Sequence, residues 1–258
     1  MSPPRKIIVA VATLVAVSAA ANGASAQESG DEFVAVLEAL AQSATPPKFV
    51  SIQGIGSGNV ASGGTVFGSV TGTLERVGGA GMDGSLSFGT AFGDPEEGIG
   101  VNVSANITSV QIDDFGDSGF FSLSMGTRLG VSMPTYVSVG VNNIAGWGDS
   151  AANDISANAA VTTIGQMPGG SSTPVMFTLG IDAVSGGGIS GFGGIGVGLT
   201  EHFGASVSHD GSNVNVGVGF TLPGVEGFSG SMLIDDAFAQ DGDRRATFSL
   251  SYSIPNAF

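Results

Sequence analysis

From residue 49 to the C terminus, the chain consists of short runs in which apolar side chains alternate with small or polar ones. One such run reads, in order, Val214, Asn215, Val216, Gly217 and Val218. Successive side chains of a β-strand point to opposite faces, so each run predicts a strand with one apolar and one polar face. Many runs approach the ~9–11 residues of a tilted membrane-crossing strand and exceed the ~5–6 of a soluble sheet. The pattern predicts an all-β fold: an antiparallel up-and-down transmembrane β-barrel.

The number of strands follows from counting these runs. The candidates are 49–58, 65–76, 83–91, 98–109, 119–130, 134–143, 157–165, 174–184, 191–199, 203–209, 213–222, 226–234 and 246–258. That makes thirteen, and single-chain bacterial barrels have an even number of strands, so one candidate has to be wrong. The weakest patterns are those of 49–58, 157–165 and 203–209. We predict about twelve strands, with ten as the alternative.

The connections between these strands predict which end of the barrel faces outward. If Phe258 lies on the periplasmic side, the three longest connections all fall on the outer side, where such barrels carry their longer loops. These connections also hold acidic residues that predict an outer-loop rim: Asp113, Asp114, Asp117, Asp149, Asp154, Asp235, Asp236, Asp241 and Asp243. We interpret the rim as a solvated acidic surface. Two alternatives stay open, namely Ca²⁺ binding without EF-hand spacing and divalent-cation bridges to lipopolysaccharide phosphates.

The first 48 residues have a different character. A basic pair, an apolar run of residues 7–21 and the small residues Ala24 and Ala26 predict a secretory signal peptide, residues 1–26, cleaved after Ala26. Asp31–Ala44 has helical spacing and ends before two prolines. Residues 27–48 are therefore a short helix and linker, and 49–258 are the barrel. The helix either docks in the barrel lumen as a partial plug or serves as a linker.

Composition restricts the chemistry. The chain has no Cys and two His, so we expect no disulfide, no thiolate or His-rich metal site and no cofactor. A formal net charge of −15 argues against nucleic acid as a partner. A Ser-His-acid hydrolase would need His202 or His209, and Ser208 points to the opposite face from its neighbour His209. We therefore do not expect an enzyme.

The predicted inward faces carry Gly, Ser, Thr and Asn far more often than charge. The main lumen charges are Glu75, Arg128 and Asp182, with Arg128 near the periplasmic end and the two acids near the outer end. A strong charged constriction is therefore not expected. Glycine at alternate positions of 191–198 does not form a nucleotide loop. It predicts instead the close approach of a neighbouring backbone or of a plug. One Trp and two Tyr are few for the aromatic girdles of a membrane barrel.

The last strand carries a family-level resemblance. Phe248, Leu250, Tyr252 and Ile254 alternate with hydroxyl residues, and the same phase continues to the terminal Phe258. This ending resembles the C-terminal strand of Gram-negative outer-membrane β-barrel proteins of the porin-like class. The resemblance implies an outer-membrane location, contact with lipid and lipopolysaccharide, and recognition of the terminal strand by the barrel assembly machinery.

Together these features predict a porin-like channel for passive diffusion of small solutes or ions. The alternative is a structural or adhesive surface protein with a closed lumen, and a lipid-modifying outer-membrane enzyme is the third hypothesis. The sequence leaves open whether the chain forms a homo-oligomer and which solute it carries.

Overall fold

A computed structural model describes residues 49–75, 83–110, 114–167, 173–238 and 244–258. The predicted signal peptide and the predicted helix Asp31–Ala44 lie outside these residues.

Twelve antiparallel strands form one closed barrel. They are β1 (Val66–Glu75), β2 (Asp83–Gly93), β3 (Gly100–Ile107), β4 (Gly119–Leu129), β5 (Thr135–Trp147), β6 (Ser156–Gln166), β7 (Pro174–Val184), β8 (Ile189–Gly198), β9 (Phe203–His209), β10 (Val214–Thr221), β11 (Phe228–Asp235) and β12 (Arg245–Ile254). Each strand pairs with the next along the chain, and β1 pairs with β12 over Val66↔Ile254 to Glu75↔Ala246. The predicted up-and-down barrel of twelve strands is confirmed.

One of the thirteen candidate strands is wrong. The stretch 49–58 forms no strand, whereas the two other weak candidates are β6 and β9. Gly54, Gly56 and Gly58 leave this stretch without side chains that could pack on a sheet face. As described below, its backbone bonds instead to hydroxyl side chains inside the barrel.

The sixth predicted strand is longer than its pattern indicates. The alternation ends near residue 143, but β5 continues to Trp147. Asn143 has a left-handed backbone with φ of 56°, and the pairing of β4 with β5 shifts between Phe121 and Leu123. This bulge changes the phase of the alternation, so the pattern stops before the strand does. A short 3-10 turn, Gly148–Ala152, follows.

The two faces of the barrel have the polarity of a membrane barrel. Outward side chains are apolar and exposed, as Val103, Val139 and Val218 are. Inward side chains include Thr162, Thr178 and Asn215, all of them almost fully buried. The polar groups therefore lie inside and the apolar groups outside, the reverse of a soluble protein.

No helix among the described residues has both the length and the apolar character that a membrane crossing requires.

The two ends of the barrel differ in their connections. Those that follow β1, β3, β5, β7, β9 and β11 meet at one end, which we call the loop end. The other connections and the C-terminal residue Phe258 lie at the opposite end, which we call the terminal end. This alternation agrees with the predicted grouping of the connections.

The barrel lumen as the candidate functional site

The chain runs through its own barrel before the first strand begins. Residues 49–65, which we call the lumenal segment, start at the terminal end, where an added Cβ on Gly198 would lie 2.8 Å from the carbonyl oxygen of Phe49. The segment then follows β8 to β10 toward the loop end, bringing Gly54 against Asn215. It returns along β5 and β6 and reaches the terminal end at Gly63, whose N–H donates to the carbonyl of Gly93.

Wall hydroxyls hold the lumenal segment by its backbone. The Gln53 N–H donates to Ser206 Oγ at 3.1 Å, and the Ser208 hydroxyl donates to the Gln53 carbonyl at 2.6 Å. On the returning arm, the Gly58 N–H donates to Thr162 Oγ1 at 2.8 Å. The Ser138 hydroxyl donates to the Ser57 carbonyl, also at 2.8 Å. These side chains supply the backbone partners that a strand would have found in a sheet.

Glycines make room for this close approach. A Cβ on Gly196 of β8 would lie 2.5 Å from the carbonyl oxygen of Ser51, so no larger residue fits while the segment is in place. On the segment itself, a Cβ on Gly58 would lie 2.5 Å from the carbonyl oxygen of Tyr136. The prediction that alternate glycines in 191–198 admit a neighbouring backbone or a plug is confirmed. The plug is the lumenal segment.

The lumenal segment divides the inside of the barrel into two walls. On β5 to β10, which we call the covered wall, the inward hydroxyls lie beneath the segment: Ser138 is 5% exposed, Thr162 0% and Ser208 3%. On β11, β12 and β1 to β4, which we call the open wall, the inward polar side chains are half-buried. They are Ser229, Ser231, Thr247, Ser249, Ser251, Ser69, Thr71, Thr73, Ser85, Ser87, Ser104, Asn106, Ser122 and Ser124. Water therefore reaches one side of the lumen and not the other.

Strand register aligns the open-wall hydroxyls in continuous rows. One row runs across five strands by direct pairing, in the order Ser229, Ser251, Ser69, Ser87 and Asn106. Neighbouring members bond to one another, as Ser87 does to the Asn106 amide oxygen at 2.6 Å. The Thr71 hydroxyl donates to Ser249 at 3.1 Å in the next row. The rows give the open wall a hydroxyl surface of mixed donors and acceptors.

The open wall carries no ionisable side chain between its ends. The stretches 66–74, 84–93, 100–107, 119–127, 228–234 and 246–254 contain no Asp, Glu, Lys, Arg or His. The lumenal segment, residues 49–65, contains none either. Its side chains at Ser57, Asn59 and Ser62 are exposed, so the surface opposite the open wall is also polar and uncharged.

At the terminal end, Arg128 belongs to a small charged cluster. Arg128 Nη1 donates to Glu96 Oε2 at 2.6 Å, and the Tyr136 hydroxyl donates to Glu96 Oε1 at 2.6 Å. The hydrogen bond from Tyr136, followed by the bond and charge of Arg128, lowers the pKa of Glu96 against the opposing effect of its partial burial. The cluster ties the β2–β3 connection to β4 and β5. Sequence reasoning found Arg128 but missed Glu96, which lies in a turn.

Asp182 lies at the other end of the lumen, near the loop end of β7, so it does not meet Arg128. The nearby Asp210 carboxylate repels it. Burial alone would raise the pKa of Asp210, but donors from Asn213, Asn215 and Ser212 outweigh it and hold the pKa below its usual range. Glu75 ends β1, at the same end of the barrel.

The predicted acidic rim lies at the loop end, with one difference. Asp114, Asp117, Asp149 and Asp154 are exposed there, and Asp235 is half-buried. Asp236 is only 2% exposed and has a left-handed backbone, with its N–H bonded to the Asn215 amide oxygen. It therefore belongs to the packed interior and not to the solvated rim. Asp113, Asp241 and Asp243 lie outside the described residues.

The C-terminal strand has the predicted faces. Leu250, Tyr252 and Ile254 are exposed on the outer surface, and Phe248 covers Gly72 of β1. The Phe258 ring lies 5.9 Å from that of Phe92, centroid to centroid, at the terminal end.

Both histidines bond locally. His202 Nδ1 lies 3.2 Å from Thr221 Oγ1, and His209 Nδ1 accepts from the Gly211 N–H at 3.0 Å. Within the described ranges, no three His, Cys, Asp or Glu side chains come together in a way that could hold a metal ion.

Comparison with known proteins adds two solved structures. The chain is similar to "KdgM porin in complex with disordered oligogalacturonate", with 9% identity over 74% of this chain and 99% of that one and a TM-score of 0.48. It is also similar to the Acinetobacter baumannii outer membrane protein Omp33, with 9% identity over 74% of this chain and 98% of that one and a TM-score of 0.44. No protein-family model matches the chain. No curated protein matches it either.

Proposed function

We propose that the protein is a porin-like outer-membrane channel that lets small solutes diffuse passively along its open wall. The observation that carries the proposal is the contrast between the two walls. Inward hydroxyls on β1, namely Thr73, Thr71 and Ser69, stay half-buried from near the loop end to mid-depth, whereas those beneath the lumenal segment are closed off. A solvated polar face that runs along a closed barrel is what passive diffusion requires.

The membrane location is part of the same proposal. Large apolar side chains such as Phe88 and Ile181 are about half exposed on the outside of the barrel, which favours a lipid surround. The terminal Phe258 keeps the apolar phase of β12. An outer-membrane barrel would meet lipid and lipopolysaccharide on this surface and would depend on the barrel assembly machinery.

A structural barrel with a closed lumen is the second candidate. It is favoured by the lumenal segment, which seals the covered wall completely at Thr162 and Thr178. The two candidates differ in one measurable property, because only the channel carries current across a lipid bilayer.

The test uses the absence of cysteine from the native chain. Ser87→Cys places one thiol in the middle of the open wall, and Asp149→Cys places one on an exposed loop. After reconstitution into planar bilayers, we expect a bulky thiol reagent to reduce the current through Ser87→Cys and to leave that through Asp149→Cys unchanged. Bilayers that contain folded protein without current would contradict the channel. Equal effects on both variants would place the pathway elsewhere.

A further inference from the structure

We infer that the open wall selects neutral, hydroxyl-bearing solutes, such as small sugars and polyols, over ions of either sign. This inference rests on the proposed channel and specifies what the channel carries. It follows from the chemistry of the groups that a solute would meet between the two ends of the barrel.

Each open-wall hydroxyl can donate one hydrogen bond and accept two. The bonds within the wall use part of this capacity: Asn106 donates to Ser122 at 3.2 Å and accepts from Ser87. A sugar hydroxyl has the same donor and acceptor character as the wall. It can therefore exchange its bonds with water for bonds with successive rows, such as the row through Ser69 and Ser87 and the row through Thr71 and Ser85.

A charged solute meets no compensating group along the same path. The six strands of the open wall and the lumenal segment carry no ionisable side chain between their ends. A carboxylate or ammonium group that sheds water there gains only neutral hydrogen bonds, and the loss of hydration costs a charge far more than it costs a hydroxyl. Ion-selective pores place rings of charged side chains or converging carbonyl groups at this depth.

The charges of the protein are confined to the two mouths. At the terminal end, Arg128 and Glu96 form an ion pair and largely cancel each other. At the loop end, exposed acids such as Asp114 and Asp149 attract cations at low salt. This attraction is long-ranged and falls away when the screening length drops to ~3 Å at ~1 M salt. Selectivity measured at high salt therefore reports the open wall and not the rim.

The experiment measures uptake of labelled glucose, glucuronate and glucosamine into proteoliposomes at high salt. These three solutes share a ring and differ in charge. We expect glucose to enter several-fold faster than either charged partner. Equal rates, or faster uptake of a charged partner, would overturn the inference. So would ionic current without glucose uptake, although the channel itself would stand. If neither current nor uptake occurred, the proposed function would fail as well.

A matched pair of variants places the selectivity on the open wall. Ser87→Asp introduces one carboxylate at mid-depth, and Ser212→Asp introduces the same group on an exposed turn at the loop end. We expect Ser87→Asp to shift the preference toward glucosamine and to slow glucuronate further, while Ser212→Asp leaves the order of the three rates unchanged. If both variants shifted the order equally at high salt, selectivity would lie at the mouth and the inference would be wrong.

Discussion

The lumenal segment can be tested by thiol accessibility, because a single introduced cysteine reports whether a wall position is covered. Ser138 lies on the covered wall and is 5% exposed, while Ser87 is half-buried on the open wall. Ser138→Cys removes the bond to the Ser57 carbonyl and leaves three backbone bonds, to Ser206, Ser208 and Thr162.

The expected protection follows from those three bonds. At ~0.5–1.5 kcal/mol each they total ~1.5–4.5 kcal/mol, and since ~1.4 kcal/mol is tenfold, the covered state is favoured about 10- to 1,600-fold. A water-soluble maleimide should therefore label Ser138→Cys at least about tenfold more slowly than Ser87→Cys under native conditions, if labelling requires the segment to leave.

A second substitution should abolish this protection. Gly58→Leu places a side chain against the Tyr136 carbonyl, where a Cβ has only 2.5 Å, so the returning arm cannot dock. Asn59→Leu adds the same side chain on the exposed side of the segment and should leave the protection intact. Labelling of Ser138→Cys as fast as Ser87→Cys in the otherwise native chain would refute the docked segment. So would equal protection in the Gly58→Leu and Asn59→Leu backgrounds.

Four further predictions concern the faces, the ends and the assembly of the barrel. Val218→Arg should cost about 2–4 kcal/mol if the side chain sits near the bilayer midplane, and Ser124→Arg on the open wall should cost less; urea unfolding in lipid vesicles compares them, and equal costs would contradict the assigned faces. Tyr136→Phe should raise the pKa of Glu96, measurable by NMR titration; because that pKa is lowered in the folded protein, the cluster stabilises the fold above the usual carboxyl pKa and is lost as pH falls through the folded value. Deletion of Phe258 should leave a protease-sensitive protein outside the membrane, and recovery of heat-modifiable barrel from the membrane would show that the residue is dispensable. Asp114→Asn with Asp149→Asn should reduce a cation preference at low salt without changing conductance at high salt, because the rim acts through screened charge; an unchanged reversal potential at low salt would argue against the rim.

The barrel itself could be predicted from the sequence because its strands alternate strictly. The run from Val214 to Val218 and the C-terminal run ending at Ile254 both form strands with the predicted faces. The strand pattern failed where the backbone changes phase, as at Asn143 in β5. No sequence period encodes a bulge, so the length of β5 could not be predicted.

The lumenal segment could be predicted only in part. Its own sequence resembles a weak strand, because Val50 and Ile52 alternate with Ser51 and Gln53. The stronger signal lies on the opposing wall. Inward positions of β8 and β10 carry Gly196, Gly198, Gly217 and Gly219, whereas those of β12 and β1 carry hydroxyls. Glycine on one wall and serine on the other distinguishes a face that receives a backbone from a face that receives water. The division into a covered and an open wall, however, depends on strand register across the closed barrel.

The most direct test of the channel is single-channel recording of the purified native chain in planar bilayers, with incorporation of folded barrel verified separately. A water-accessible passage beside the docked lumenal segment predicts discrete current steps in the native protein, with larger steps after Gly58→Leu displaces the segment. Native barrels that carry no current, with steps appearing only after Gly58→Leu, would contradict an open passage and favour the closed structural barrel.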